Sequence, residues 1–400
     1  MAVATYSVQI AWATGASNGF TLDVSAIGGT DVLTSQFSTT FSGTYDDVTA
    51  ETRSVSIKRG RDDNLDAMAA GEATIVLRDE TGKFNPKNAS SVLAGKLLPM
   101  RPVRVRATFS STTYGLFWGF VRSIEHHPAD YETTVACMDL FLWLSRVTPI
   151  IAATGPTTTG AAIGKVLDAV GWSDPAFRDL DDGDSIPDFS ADGSKSALTL
   201  ITELLETERG VFYIDPSGIA TFDNRNVRSL VASSGTLADV AASVGAATDI
   251  DRVKNRARVT RTGFTQQEAS DGNSVATYGW SDFPEIDSPY LNSDDQALSL
   301  ARWLVARGKD PTPPLWALEL PANRTSALLT HALARDLGDR VTVTDSQSGT
   351  SGDFFIEQIT HEVTAGGKDH RTSWSLSERT GGEAFQIGAS TVGGTDVIVY

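Results

Sequence analysis

The stretch Gly160-Ala161-Ala162-Ile163-Gly164-Lys165-Val166 has the glycines and the lysine of a phosphate-binding loop. Such a loop needs four residues between its glycines, and a Ser or Thr after the lysine to reach magnesium. Here three residues intervene and Val166 stands in place of the hydroxyl, so no nucleotide site is expected. Asp179-Leu180-Asp181-Asp182-Gly183-Asp184 gathers carboxylates as a calcium loop does. With Gly183 at the sixth position, Arg178 falls at the first and Phe189 at the twelfth, and neither side chain ligates calcium. Ion binding by this loop in another geometry stays open. His126 and His127 are adjacent, while His331, His361 and His370 show no metal-ligand spacing, so all five read as surface or strand residues. Ser, His and Asp occur without a nucleophile elbow. A carboxylate pair for glycoside hydrolysis is defined in space, and the sequence singles out no pair. The expectation is no catalytic residue, no cofactor and no metal.

Charge narrows the partners. The chain carries 33 Lys and Arg against 50 Asp and Glu, a formal net charge of −17. Gripping nucleic acid over a broad surface requires neutralising phosphates with cations, so this balance argues against it. It suits a surface past which DNA slides without sticking. The single cysteine, Cys137, has no partner for an internal disulfide and reads as a small buried hydrophobe in a strand. The first residues lack the basic start and apolar core of a signal peptide, and no apolar run is long enough to span a bilayer. A soluble protein made in a reducing cytoplasm is expected.

The elements that must position these residues are mostly strands. Pro102 to Ala107 alternates apolar and polar residues, Leu116 to Ile124 is a second apolar run, and Tyr131 to Cys137 closes the unit. Arg340 to Thr344, Phe354 to Val363 and Thr372 to Ser377 repeat that plan. Alternation of period two bounded by Gly, Ser and Asp marks antiparallel strands with one buried face. Two such meanders predict a duplicated barrel or sandwich domain. Further strands are expected at Tyr6–Trp12, Thr52–Arg61, Glu72–Leu77, Arg252–Thr260 and Leu315–Leu320. Leu140–Leu144 reads as a core plug.

Between the meanders the texture changes. A short helix over Ala161–Val170, the acidic loop, an amphipathic helix over Lys195–Glu208 and a hairpin at Val211–Phe222 make a small α+β domain. Ser293-Asp294-Asp295-Gln296 has the form of a capping box opening a helix with Ala297, Leu300, Ala301 and Leu304 on its buried stripe. Gly308 and Pro311 end it. A last helix is expected over Leu328–Leu337. The fold class is thus mainly β with an α+β insert: two antiparallel β-barrel or sandwich domains flanking a small α+β domain. The expected divisions are 1–40 (strand and arm), 41–150 (first β-domain), 151–248 (insert), 249–380 (second β-domain with flanking helix) and 381–400 (arm).

The ends carry a second repeat. Phe20, Leu22, Ile27, Gly28-Gly29, Thr30-Asp31 and Val32 return in unbroken register as Phe385, Ile387, Val392, Gly393-Gly394, Thr395-Asp396 and Val397. Internal repeats outrank local signals in reading architecture. They predict a pair of equivalent arms docking on similar grooves between subunits.

The turn Leu77-Arg78-Asp79-Glu80-Thr81-Gly82-Lys83-Phe84-Asn85-Pro86, with Arg101-Pro102-Val103-Arg104-Val105 and Leu116-Phe117-Trp118-Gly119, resembles the minor tail proteins of long-tailed bacteriophages infecting actinobacteria. The segment ending Leu304-Val305-Ala306-Arg307-Gly308-Lys309-Asp310-Pro311, and Asp336-Leu337-Gly338-Asp339-Arg340-Val341, look like the second half of that family. The resemblance implies a tail hub, or baseplate-hub-like, subunit with two tube-type β-domains around an inserted α+β domain. It implies a homotrimer at the tail tip of the virion, in contact with distal tail or tube proteins, the tape-measure protein and fibre or spike proteins. DNA is met only in passage. Asp79, Gly82, Phe84, Asn85 and Pro86 are the structural turn of this resemblance. Two other classes are kept beside it: a tail-tip enzyme degrading cell wall or polysaccharide, and a module binding a host receptor.

Overall fold

The computed structural model describes residues 2–13, 44–62, 66–225, 227, 231–239, 250–310 and 318–378, and the backbone alone of 243–246 and 315–317. The protein is mainly β, as expected. The first half is made of β1 (Thr5–Ile10), β2 (Thr52–Gly60), β3 (Ala69–Arg78), β4 (Pro102–Phe109), β5 (Thr112–His127) and β6 (Glu132–Met138). The second is made of β7 (Ser233–Ala238), β8 (Ser243–Ala246), β9 (Leu315–Pro321), β10 (Arg340–Asp345), β11 (Thr350–Thr364) and β12 (Asp369–Glu378).

Side by side, the first set runs β2-β3-β6-β5-β4-β1 and the second β8-β9-β12-β11-β10-β7. The two orders are the same. They differ in one sense only: β1 lies antiparallel to β4, whereas β7 lies parallel to β10. Both halves belong to one sheet of thirteen strands, with the two residues Asp46–Asp47 pairing on β1. Burial alternates where the sequence alternates: Val103, Val105 and Ala107 point inward from β4, and Val341 and Val343 from β10.

Residue pairings sharpen the duplication. Val121 faces Cys137 and Ser123 faces Ala136, which leaves Arg122 as a bulge in β5. Ile356 faces Leu376 and Gln358 faces Ser375, which leaves Glu357 as a bulge in β11. Aligned on these bulges, Phe120, Ile124 and His126 coincide with Phe355, Ile359 and His361. Their partners coincide too, since His126 lies opposite Thr133 and His361 opposite Thr372.

The halves meet at a seam where β11 pairs antiparallel with β2, from Gln358 opposite Gly60 to Thr364 opposite Ser54. The first core continues across it. Leu329, Ala332 and Leu333, from the helix Ser326–Ala334, pack with Ile57, Ile75 and Phe117 of the first half. No barrel closes among the described residues. β1 and β2 do not pair along their length, and a cleft of about 310 Å³ lined by Tyr6, Val8, Val55 and Val363 lies between them.

Two further units are attached. Helices Thr159–Ala169 and Ala197–Glu208 pack on the hairpin Val211–Ile214 and Ala220–Asp223, around Trp172, Phe189, Phe212 and Phe222. Trp118 of β5 reaches this core, with its ring centroid 5.6 Å from that of Trp172. Gly218 in the hairpin turn has φ +93°, and a Cβ there would stand 2.7 Å from the Trp118 ring. The second unit, between β8 and β9, packs the helix Asp294–Gly308 on strands Arg256–Arg261, Gln267–Ser270 and Ile286–Ser288.

Three readings change in detail. Ser293 accepts from the Gln296 amide (3.1 Å), but the Gln296 side chain reaches back to the Asn292 amide (2.7 Å) rather than to Ser293. Gly308 ends the helix without a left-handed φ; a Cβ there would meet the Phe283 ring at 2.5 Å and the Lys254 carbonyl at 2.8 Å. Close approach, not turn geometry, requires this glycine. The last helix begins at Ser326 and stops at Ala334, because Thr325 caps it through the Leu328 amide and Arg335 leaves helical geometry.

Candidate functional site

The seam holds a group of buried charged side chains, Arg59, Arg61 and Glu357. Arg61 follows β2, and its Nε donates to Glu357 at 2.9 Å with both side chains buried. Glu357 is the bulged residue of β11, so the bulge turns a carboxylate inward that regular alternation would not. Its other oxygen accepts from Ser377, and its carbonyl accepts from the Arg61 amide at 2.9 Å. Gly60, just before, has φ +102°, and a Cβ there would lie 2.1 Å from that carbonyl. Arg59, equally buried, pairs with Asp336 and donates to the Ile214 carbonyl (3.3 Å), which ties the insert to the seam.

Beside these ions lies a neutral network. His361 and His370 are hydrogen-bonded at 3.0 Å, both contact the Thr372 hydroxyl, and the Tyr6 hydroxyl meets His370 Nδ1 at 2.7 Å. The Asn323 side chain accepts from the His370 amide at 2.5 Å and donates to the Ala2 carbonyl at 2.7 Å. Burial, and then the neighbouring His370, holds His361 well below the usual imidazole range, and burial brings His370 down to about 4. Two uncharged imidazoles in a hydrogen-bonded interior serve packing and register.

The turn after β3 is equally well defined. Asp79 is buried, and one of its oxygens accepts from the Phe84 amide (3.1 Å) and the Thr133 hydroxyl (2.9 Å) and lies 3.2 Å from His126 Nδ1. Gly82 takes φ +69°, its carbonyl accepts from the Asn85 amide and the Asn88 side chain, and Asn85 accepts in turn from the Lys87 amide. Phe84 is fully buried with Trp12 as a ring neighbour, and half-buried Asn85 precedes exposed Pro86. Asp79, Gly82, Phe84, Asn85 and Pro86 thus come together at one place, with His126 and Thr133 added. The sequence marks these two only as strand residues; their equivalence with His361 and Thr372 emerges once the two bulges are aligned in the sheet.

Two buried carboxylates merit a chemical test. Asp139 accepts from the amides of Gly71 (2.6 Å) and Phe141 (2.9 Å), and burial pushes it up to about 7. Glu208 accepts from the Asp184 amide (2.6 Å) and the Thr159 hydroxyl (3.2 Å); burial first, then the Asp184 carboxylate, pushes it up to about 7. Arg225 and the Gln296 side chain hold Asp184 at 3.0 Å and 3.2 Å. Each carboxylate is committed to a backbone amide, an arrangement that fastens loops. The acidic loop is thus pinned at Asp184 to the helix Ala197–Glu208. Among the described residues no group of three or more His, Cys, Asp or Glu could hold a metal ion, and no helix is long and apolar enough to cross a membrane. The predicted arms, at Phe20, Leu22, Ile27 and Val32 and at Phe385, Ile387, Val392 and Val397, lie outside the described residues.

No family model matches the chain, and no curated protein matches it. Among solved structures, the tail protein from Neisseria meningitidis MC58 superposes with a TM-score of 0.59 at 12% identity, over 94% of this chain and 96% of that one. The 43 kDa tail protein of prophage MuSo2 from Shewanella oneidensis gives a TM-score of 0.55 at 13% identity, over 84% of this chain and 94% of that one. At these identities the likeness is one of fold: the chain shares the fold of these two tail proteins.

Proposed function

We propose that this chain is a structural subunit of a phage tail tip, a hub of which three copies form a ring. The observation that carries the reading is the six-strand order found twice in one polypeptide. Three copies of a chain with two similar halves present six near-equivalent units, which suits a six-fold tube on one side and three-fold fibre or spike components on the other. The fold shared with two tail proteins supports the same reading. The ring's channel is the path for the tape-measure protein and DNA, and a net charge of −17 disfavours sticking to the phosphate backbone. We divide the chain as the sequence suggests, with the strands at 233–246 assigned to the second β-domain because they pair with β9 and β10.

Mass measurement of the purified chain, alone and with tail-tube protein, tests this. The expected result is a trimer, at high concentration or on the tube. A chain that stays monomeric or dimeric in both conditions overturns the reading. Turnover of peptidoglycan or host glycans by the pure chain would instead make it an enzyme, and binding to intact host cells a receptor module.

A further inference from the structure

Trp280 is the most exposed aromatic side chain among the described residues, at 60%. Its turn is nonetheless firmly held. Asn255, fully buried, donates from its side-chain amide to the Gly279 carbonyl (2.7 Å) and accepts from the Ser281 amide (2.9 Å), and its backbone amide donates to the Ser281 carbonyl (2.8 Å). The Arg256 guanidinium lies over the indole, 4.5 Å from a ring centroid, and is fixed in turn by two bonds of 2.7 Å to Asp282. One face of the ring is thus stacked within the subunit while most of the side chain meets solvent. A large aromatic side chain already fixed in the free protein loses little entropy when it is covered, which is the property of an interface anchor.

The first half carries a place for such a side chain. The cleft beside β1, about 310 Å³, is lined by Val3, Tyr6, Val8, Thr52, Val55 and Val363 among others. Pockets that enclose a small ligand start at roughly 300 Å³, so there is room for one indole. Val3 is 46% exposed there, an apolar side chain left to water. Thr52 donates to the Val48 carbonyl and keeps its oxygen lone pairs, so the indole N–H finds an acceptor. Arg53, the charged residue of the lining, is paired with Glu132, and around Trp280 the charges are paired too, Arg256 with Asp282 and Arg258 with Glu268 and Glu285. Seating one on the other buries no lone ion. The two features belong to opposite ends of the sheet. The unit bearing Trp280 is joined to β8 and β9 at one end of the strand order, and β1 stands towards the other.

We infer that Trp280 of one copy seats in the β1 cleft of the next copy. The inference rests on the ring reading and deepens it by naming a contact between copies. Knob and cleft lie on different parts of the chain, so the contact is heterologous, and three copies related by a third of a turn use every knob and every cleft. A second copy is the occupant because the chain itself supplies a side chain of the right size, already fixed and with its charged neighbours already paired.

Two substitutions in the full chain test it. Trp280→Ala removes the knob and, at an exposed position, is expected to leave the melting temperature of the subunit unchanged. Val3→Arg places a charged side chain in the cleft. By mass, under the condition in which the unaltered chain is a trimer, each variant is expected to need at least about tenfold more protein for half-assembly. An equimolar mixture is expected to give heterodimers, because the knob of the Val3→Arg copy and the cleft of the Trp280→Ala copy are both intact. Acrylamide quenching of fluorescence gives a second readout, which decides if Val3→Arg lowers the melting temperature. The part of the quenching that Trp280→Phe removes is expected to drop when the unaltered chain forms trimers. A trimer in which that part persists, or a Trp280→Ala chain that assembles as before, overturns the contact and leaves the ring standing. Weakening by Val3→Arg alone assigns the cleft to another occupant and also overturns it. Absence of any trimer of the unaltered chain, on the tube included, takes down both readings.

Discussion

At the scale of single residues, the seam sets the largest energies. Replacing Arg61 by Met leaves the Glu357 carboxylate buried without its cation, and breaking such a pair from one side costs roughly 3–5 kcal/mol. Urea titration of Arg61→Met should show that loss, and pairing it with Glu357→Leu should recover part of it, since two apolar side chains need no mutual compensation. Gly60→Ala forces a Cβ into the Glu357 carbonyl at a left-handed φ, and at least ~2 kcal/mol of destabilisation is expected in the same measurement. The buried titrating groups set the pH response. Asp139 and Glu208 are raised to about 7, so their contribution is complete at low pH and is lost as pH rises through 7. His370 is lowered to about 4, so its contribution is present above 6.5 and is lost as pH falls through 4. The melting temperature should therefore climb from pH 8 towards pH 6 and fall again in acid. Asp139→Asn should flatten the alkaline side alone, and a variant with an unchanged alkaline slope would rule out Asp139 as a source.

Elements were legible where their cause is local. Arg340–Asp345 alternates and is a strand, and the turn from Gly82 to Pro86 is shaped by local bonds such as Asn88 to the Gly82 carbonyl and the Phe84 amide to Asp79, although Thr133 and His126 complete the Asp79 end from far along the chain. Ser293 announced its helix, and Ser293→Ala should cost about 1 kcal/mol in thermal or urea unfolding through the lost bond to the Gln296 amide. A cost near zero would mean that burial of Ala297, Leu300 and Leu304 alone fixes the helix start. What was not legible depends on distance along the chain. β7 and β8 lie in a stretch poor in alternation and form because β10 and β9 offer them flanks. Gly308 has the look of a helix stop, yet its reason is the Phe283 ring, which no spacing rule connects to it. The seam escaped notice because Arg61 and Glu357 stand 296 residues apart. The bulges that align His126 with His361 have no signature in composition, since one holds an exposed Arg122 and the other a buried Glu357.

For the whole molecule, the ring reading requires something to hold the copies together, and the terminal repeat, Phe20–Leu33 and Phe385–Ile398, is the candidate the sequence supplies. β12 ends at Glu378, so deleting Gly381–Tyr400 removes no strand of the described sheet and none of the ion pairs of the seam. If the arms dock across subunits, that truncation should leave the melting temperature of the isolated chain within a few degrees, while the concentration for half-assembly rises by about tenfold, or ~1.4 kcal/mol. Removal of both arms should weaken it further, because two links on one chain raise each other's effective concentration. Light scattering across a dilution series separates the outcomes. A truncated chain that unfolds shows the arm to be part of the subunit's own core, and one that assembles as before shows that the arm does not link the copies.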